Sequence, residues 1–344
     1  MSVLFQLREK ECSVERWQAL GRILGSHIVI IVPIALLIGI LAPSSLSWLI
    51  PAVPVMFAVL TFQGSLNNTF HQVLEVFRRP KPLLLILATT LVIIPFIAHL
   101  LALVFFGGDA NLVCGTTLEY ATPIAVSAFM WLTMYEGNVS LGLAAILIST
   151  VLAPFTIPFT LKILMGQSVD VDVFTMMFDM IFEIALPALA GTALNERTHG
   201  WGKETLSPAL SPACKILLPL IIGTNSTEIS DQMHHMTPQM WGVMAFIGLF
   251  AFSSYLLGMA LARATHQTQA NFVTMCYTCG MRNISSGAVI AAAFFPAEVL
   301  FPVMMGTLFQ QIIAASFGSI IARMSSHGQH HQKKAGAFLP AENS

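Results

Sequence analysis

The chain has 344 residues, with 16 Lys plus Arg against 17 Asp plus Glu, a net charge of −1, 10% charged residues and 56% hydrophobic ones. A soluble domain carries about 25% charged side chains because its surface faces water, so a deficit this deep describes a surface that faces lipid and an all-α, polytopic membrane protein. The same numbers exclude disorder, and the net charge leaves no surplus of cations to neutralise nucleic-acid phosphates.

Residues 1–25 mix Arg8, Lys10, Arg16 and Arg22 with Glu9, Glu11 and Glu15 and run into an apolar stretch with no small-x-small cleavage site, so a cytoplasmic N-terminal segment leads into a retained helix. A spanning helix needs about 20 mostly apolar residues. By that rule ten segments follow: 27–42, 50–65, 82–106, 112–135, 138–165, 172–193, 208–223, 238–262, 271–293 and 297–322. Five cysteines (Cys12, Cys114, Cys214, Cys276 and Cys279), an odd number spread through apolar runs, fit small apolar fillers better than a disulfide framework.

Positive charge collects in cytoplasmic loops. With the N-terminus inside, the inside segments hold Arg8, Lys10, Arg16, Arg22, Arg78, Arg79, Lys81, Arg197, Lys203, Arg263, Arg323, Lys333 and Lys334, which is 13 of the 16 cations. The outside connections near 43–49, 107–111, 166–171, 224–237 and 294–296 hold none. Both termini are therefore expected in the cytoplasm of a cell (inner) membrane protein. Lys162, Lys215 and Arg282 lie within the apolar segments, the first two near segment ends from which they can snorkel.

Five segments precede the 166–171 connection and five follow it, which inverts the second half relative to the first. The expected organisation is a first repeat at 26–165, a second at 166–325 and a cytoplasmic tail at 326–344. Segments four and nine are both interrupted, by Thr122-Pro123-Ile124-Ala125-Val126-Ser127 and by Thr278-Cys279-Gly280-Met281-Arg282-Asn283 with Ser285-Ser286-Gly287. Unwinding frees backbone groups that lipid cannot satisfy but a substrate or lined cavity can, so matching breaks point to a binding site.

Cys279-Gly280-Met281-Arg282-Asn283, followed by Ser285-Ser286-Gly287-Ala288, resembles the Gly-Met-Gln-Asn signature of the bile acid:sodium symporter family. Pro123 to Gly137-Asn138-Val139, leading into Ser149-Thr150 and Pro154, resembles that family's fourth and fifth segments, and Arg79-Pro80-Lys81 its short basic connection. The resemblance implies ten helices in two inverted repeats. Helices one, two, six and seven would form a panel, helices three to five and eight to ten a core, and the broken fourth and ninth helices would cross near the bilayer midplane. It also implies transport of organic anions, usually with sodium.

The departures are specific. The Glu that precedes the signature's Gly-Met pair in sodium-coupled members is Thr278 here, and the Gln that follows is Arg282. The Ser-Asn pair after the segment-four Pro is Ala128-Phe129, the segment-five hydroxyls fall at Gly142 and Ile146, and the segment-three Gln falls near Thr90. Sodium, a hard cation, wants about six oxygen donors, and few survive. The Cys that arsenite-exporting relatives place after that Pro is Ile124, and Cys276-x-x-Cys279 lacks a second Cys pair or a His, so no metal site and no cofactor are expected.

Arg282 carries the most weight. A guanidinium near mid-membrane costs about 2.5 to 3.5 kcal/mol on insertion scales and needs a partner. It can stand as a fixed charge where the family binds sodium and attract an anion, or it can pair with Glu119, Asp179 or Glu183. Arg282, Asn283, Thr278, Ser127, Ser286 and Gln311 form the expected substrate site. Glu119, four residues before Pro123, is the coupling candidate, since such a carboxyl can carry a proton. Ser149, Thr150 and Gln310 complete the polar lining or serve as interhelical glue; His99, Phe129 and Trp131 read as packing residues. His327, His330, His331, Lys333 and Lys334 read as a solvated tail. The expected function is a secondary transporter of a small organic anion without the family's usual sodium sites. The alternatives are a sodium symporter with a relocated ion site and a non-transporting membrane sensor. No H-E-x-x-H, G-x-S-x-G or P-loop supports an enzyme.

Overall fold

A computed structural model describes the backbone of residues 2–78, 80–166 and 172–336, and the side chains of residues 16–324 apart from Val29, Arg79 and 167–171. Most of the 166–171 connection, Arg79 and the histidines of the tail lie outside the described side chains. Among the described residues every regular element is a helix, and extended pairing is confined to one isolated bridge.

The helices are α1 (Ser2–Leu41), α2 (Val53–Ser65), α3 (Phe70–Phe77), α4 (Lys81–Phe106), α5 (Ala110–Ala121), α6 (Ala128–Met134), α7 (Val139–Met165) and α8 (Val173–Arg197). After them come α9 (Gly202–Thr227), α10 (Ser230–His234), α11 (Pro238–Ala264), α12 (Gln269–Gly280), α13 (Ile284–Phe294) and α14 (Ala297–Gly336). Each of the ten expected segments coincides with one of these helices or with a pair. Among the described residues, 7 helices are long and apolar enough to cross a membrane, or 8 with α1, which is bent between Ile28 and Ile30. Pro33 explains that bend, since its ring displaces the carbonyl four residues back. Segments four and nine are split into α5/α6 and α12/α13, whose halves are too short to cross alone. The bundle is a multi-pass membrane protein. Its outer surface exposes Val104, Ile163, Phe174 and Leu249, as a lipid-facing surface does.

Helix α3 is an addition to the expected set. A reciprocal cap starts it, Thr69 Oγ1 accepting from Gln72 N–H while Gln72 Oε1 accepts from Thr69 N–H, and Phe70, Leu74 and Phe77 are exposed along one face. That pattern suits a helix lying in the interface.

Prolines shape three of the long helices. Wide π turns at Thr89–Ile93, Ile181–Ala185 and Gly202–Leu206 each precede a proline, at Pro95, Pro187 and Pro208. A proline lacks the N–H that would bond back and pushes away the carbonyl four residues earlier, and the wider turn absorbs that displacement.

Helix α1 packs along α9, and α2 packs against α8 and α9. Lys215 Nζ donates to Gly21 O at 2.9 Å, Ser226 Oγ to Leu36 O at 3.0 Å and Ser230 Oγ to Ile40 O at 2.6 Å. Moving along one chain moves the same way along the other, so the α1–α9 pair is parallel. Thr192 Oγ1 reaches Ser65 O and Asn195 Nδ2 reaches Asn68 O, so α2 and α8 are parallel too. Gly39 and Gly191 make the close approach possible, because a Cβ on either would strike a facing backbone carbonyl, that of Gly223 or of Phe62. The remaining helices form a second group, with α5 against α4 and α14, α12 against α11, and α13 against α14.

Candidate functional site

The two breaks meet. Pro123 cannot continue α5, and Thr122 turns extended (φ −61, ψ 152); α12 ends at Gly280, and Met281 is likewise extended (φ −102, ψ 126). Ala125 N donates to Met281 O at 3.2 Å and Asn283 N to Pro123 O at 2.9 Å, forming an antiparallel bridge between Ile124 and Arg282. The N–H groups of the two bridged residues point elsewhere, and each finds a side chain on the helix after its broken segment. Ile124 N donates to Ser149 Oγ of α7 at 3.2 Å, and Arg282 N donates to Gln310 Oε1 of α14 at 2.9 Å. Ser149 and Gln310 therefore hold the breaks open, which is the gluing role among the two readings of these residues.

Arg282 is 2% exposed, and its guanidinium binds only main-chain oxygens: Nη1 to Thr90 O at 3.1 Å and Thr122 O at 3.4 Å, Nη2 to Cys279 O at 3.3 Å. Each of the three carbonyls is free because of the local path of the backbone. In the π turn Ile94 N–H bonds Thr89 O, and the N–H that would reach Thr90 O belongs to Pro95, which has none. Thr122 caps α5, and Cys279 lies in the last turn of α12, where Asn283 N–H has turned away to Pro123. Arg282 collects the negative ends of both half-helices and the gap left by Pro95. Among the described residues Nε has no partner.

Glu119, at 3% exposed, makes no direct bond to Arg282; its Oε2 has no partner among the described residues, and a Cβ on Gly306 would strike its Oε1. Asp179 is exposed and Glu183 half-buried on α8, outside the bonds Arg282 makes. Among the described residues Arg282 is therefore tied down by carbonyls, without a direct ion pair.

The positions aligned with the family's sodium ligands fall into two places. Thr90 Oγ1 turns back to Ile86 O, Thr278 Oγ1 bonds Thr274 O, and Arg282 lies beside them. Ala128, Phe129, Gly142 and Ile146 gather around α6 and α7 and offer no side-chain oxygen; a Cβ on Gly142 would meet Leu132.

Phe129 and Ile146 instead wall a narrow cleft that is open to solvent. Thr150, Val126, Leu143, Leu147 and Asn283 also line it, and Thr61, Gly64, Ser65, Asn67 and Asn68 supply the side formed by the end of α2 and the residues after it. The α2 residues escaped the sequence reading. The signal was present: hydroxyls and amides crowd an otherwise apolar span from Thr61 to Thr69. Asn68 is 4% exposed, and its Oδ1 has no partner among the described residues.

Of the residues expected to bind substrate, Asn283 alone lines this cleft; its Oδ1 also caps α13 by accepting from Ser286 N at 3.2 Å. Ser127 stands at the N-cap of α6 without a side-chain cap bond. Ser286 is fully enclosed, and Gln311 Oε1 accepts from Trp131 Nε1 at 3.3 Å. Trp131 stacks on Tyr135 and Tyr277, and His99 Nδ1 bonds Thr117 Oγ1 at 3.1 Å between α4 and α5, both in packing roles. Lys215, expected to snorkel, bonds the α1 backbone.

Helices that cross at paired backbone breaks, with a polar cleft beside the crossing, define a membrane transport protein built on broken helices. The sequence model of the sodium bile acid symporter family matches residues 53–236. YbaS of Bacillus subtilis (strain 168) is 34% identical over 294 residues, covering 86% of this chain and 96% of that protein. The sodium-dependent transporter YocS of the same organism is 20% identical, covering 75% and 79%. The probable sodium/metabolite cotransporter BASS1, chloroplastic, of Arabidopsis thaliana is 24% identical, covering 83% and 71%. The chain belongs to the sodium bile acid symporter family.

Proposed function

We propose that the protein is a secondary transporter of a small organic anion that works by alternating access without a mobile sodium ion. The observation that carries this reading is the bonding of Arg282 to Thr90 O, Thr122 O and Cys279 O. Carbonyl oxygens released at helix breaks are what a bound cation uses in such folds. A guanidinium fixed among them supplies the charge permanently and leaves those oxygens engaged. The names of YocS and BASS1 speak of sodium for those proteins; the side chains at the corresponding positions here argue for a different solution.

In this reading the panel is α1, α2, α8 and α9, and the remaining spans form the core. The dense packing within each group supports that division. The cleft lies between the end of α2 and the breaks, so it is the substrate site on the cytoplasmic side. Asn67, Asn68, Asn283 and Thr150 offer it amides and a hydroxyl, Phe129 and Ile146 an apolar wall, and Arg282 a positive field from behind. The carrier is either a uniporter or coupled to protons with Glu119 as the coupling candidate, and a transport rate indifferent to an imposed pH gradient would remove Glu119 from that role.

The deciding experiment measures melting temperature of the purified protein with a panel of organic anions, in sodium and in potassium buffer. A ligand at 100 times its dissociation constant stabilises by about 2.7 kcal/mol. The expected result is one anion that stabilises equally in both salts. Stabilisation that requires sodium would overturn the reading in favour of a relocated sodium site. Flux into proteoliposomes then separates a carrier from a sensor.

A further inference from the structure

The connection between α2 and α4 is more ordered than a simple link needs to be. Helix α3 is started by the reciprocal cap of Thr69 and Gln72, packs on α7 and α8, and sets Val76 against the buried cluster behind it. Its other face carries Phe70, Leu74 and Phe77, spaced i, i+4 and i+7 and all exposed. The connection between α8 and α9 is fastened to its start. Asn195 Nδ2 donates to Asn68 O at 3.0 Å, Lys203 N donates to Asn195 Oδ1 at 2.9 Å, and Gly202 packs against Asn195 and Leu66. Trp201 stands exposed in that second connection.

Together the two connections, residues 66–81 and 195–206, hold five cations, Arg78, Arg79, Lys81, Arg197 and Lys203, against the three carboxylates of Glu75, Glu196 and Glu204. Arg78, Lys81, Arg197 and Lys203 are exposed, and among the described residues none of them makes an ion pair; Glu75, the carboxylate of α3, faces His71 at 3.6 Å. Orientation in a bilayer requires only that cations gather on this side. It does not require a capped amphipathic helix between them, nor bonds that join the two connections into one layer. An apolar stripe rimmed by unpaired cations matches a ligand that has both parts, acyl chains for Phe70, Leu74 and Phe77 and a phosphodiester for the guanidinium and ammonium groups.

We propose that α3, with Arg78, Lys81, Arg197 and Lys203, forms a binding site for an anionic phospholipid. Only the leaflet, the cytoplasmic one, rests on the orientation given above. The site adjoins the cleft, because Asn68, whose carbonyl Asn195 holds, also lines it.

The test reconstitutes the full chain in phosphatidylcholine vesicles that contain, at one mole fraction, brominated phosphatidylglycerol or brominated phosphatidylcholine, and reads quenching of tryptophan fluorescence. Subtracting the same measurement on Trp201→Phe isolates the signal of Trp201. A cation near an anionic leaflet strengthens association about fivefold, so the anionic lipid is expected to be preferred at Trp201 by about tenfold or more. Arg78→Gln with Lys203→Gln should bring the preference close to one, while Arg78→Lys with Lys203→Arg should keep it. Both double variants leave a cation in each connection, so the charge bias that orients the chain is preserved. Equal quenching by the two lipids in the parent, or a preference that survives the Gln pair, would overturn the proposal. Inorganic phosphate that abolishes the preference, where chloride at the same ionic strength does not, would also overturn it, since the site would then take a free anion and not a lipid.

Discussion

At the scale of single residues, the chemistry turns on what Arg282 touches. Its side chain satisfies three carbonyls that would otherwise be buried without partners. Orphaning a buried acceptor costs about 1–3 kcal/mol, so Arg282→Ala should destabilise by at least about 3 kcal/mol, read as a lower melting temperature in detergent. Arg282→Lys keeps the charge but cannot span the three oxygens and should recover part of that loss. A double variant, Thr278→Glu with Arg282→Gln, introduces the donor types that the resemblance gives sodium-coupled members and should acquire a sodium-dependent melting temperature, with the parent chain measured beside it and expected to melt alike in both salts; identical melting of the variant in sodium and potassium would count against ion replacement. The importance of Arg282 was legible in the sequence, since a guanidinium in an apolar segment needs a partner. Its partners were not legible, because the Thr90 carbonyl is freed by Pro95 in a distant segment and main-chain acceptors leave no mark in the residue alphabet.

At the scale of elements, the packing of α1 on α9 and of α2 on α8 depends on close helix approach at two glycines. A Cβ at Gly39 would strike Gly223 O and Ser226 Oγ, atoms that cannot move without parting α1 from α9. Gly39→Ala is therefore expected to cost about 1–3 kcal/mol, in the range of overpacking a tight contact. Gly25→Ala meets only the flexible end of Lys215 at 2.9 Å and Gly108→Ala meets nothing within 4 Å, so both should melt close to the parent. Equal losses at Gly39 and Gly108 would show that the contact is not tight. The helices were legible from apolar runs, and both breaks from Pro123 and from the polar stretch around Arg282. Helix α3 and the polar end of α2 were not, because each is too short or too mixed to register against a window of twenty apolar residues.

At the scale of the molecule, two parallel helix pairs constrain the topology. Helices α1 and α9 run the same way, as do α2 and α8. Parallel spans have an odd number of crossings between them, which holds for segments one and seven, and for two and six, only if the broken segment four, like the others between them, passes once through the membrane. The distribution of cations gives the sense: Arg78 and Lys81 precede α4, Arg197 and Lys203 join α8 to α9, and Arg263 ends α11, whereas the residues between α9 and α11 hold none. Reporters fused to the two ends of the chain should therefore both be active only in the cytoplasm, and a tag inserted at 234–237 should be reached by antibody from outside intact cells. A C-terminal reporter on the outer face would mean that one broken segment re-enters without crossing. Alternating access through this crossing would then fail on geometry alone.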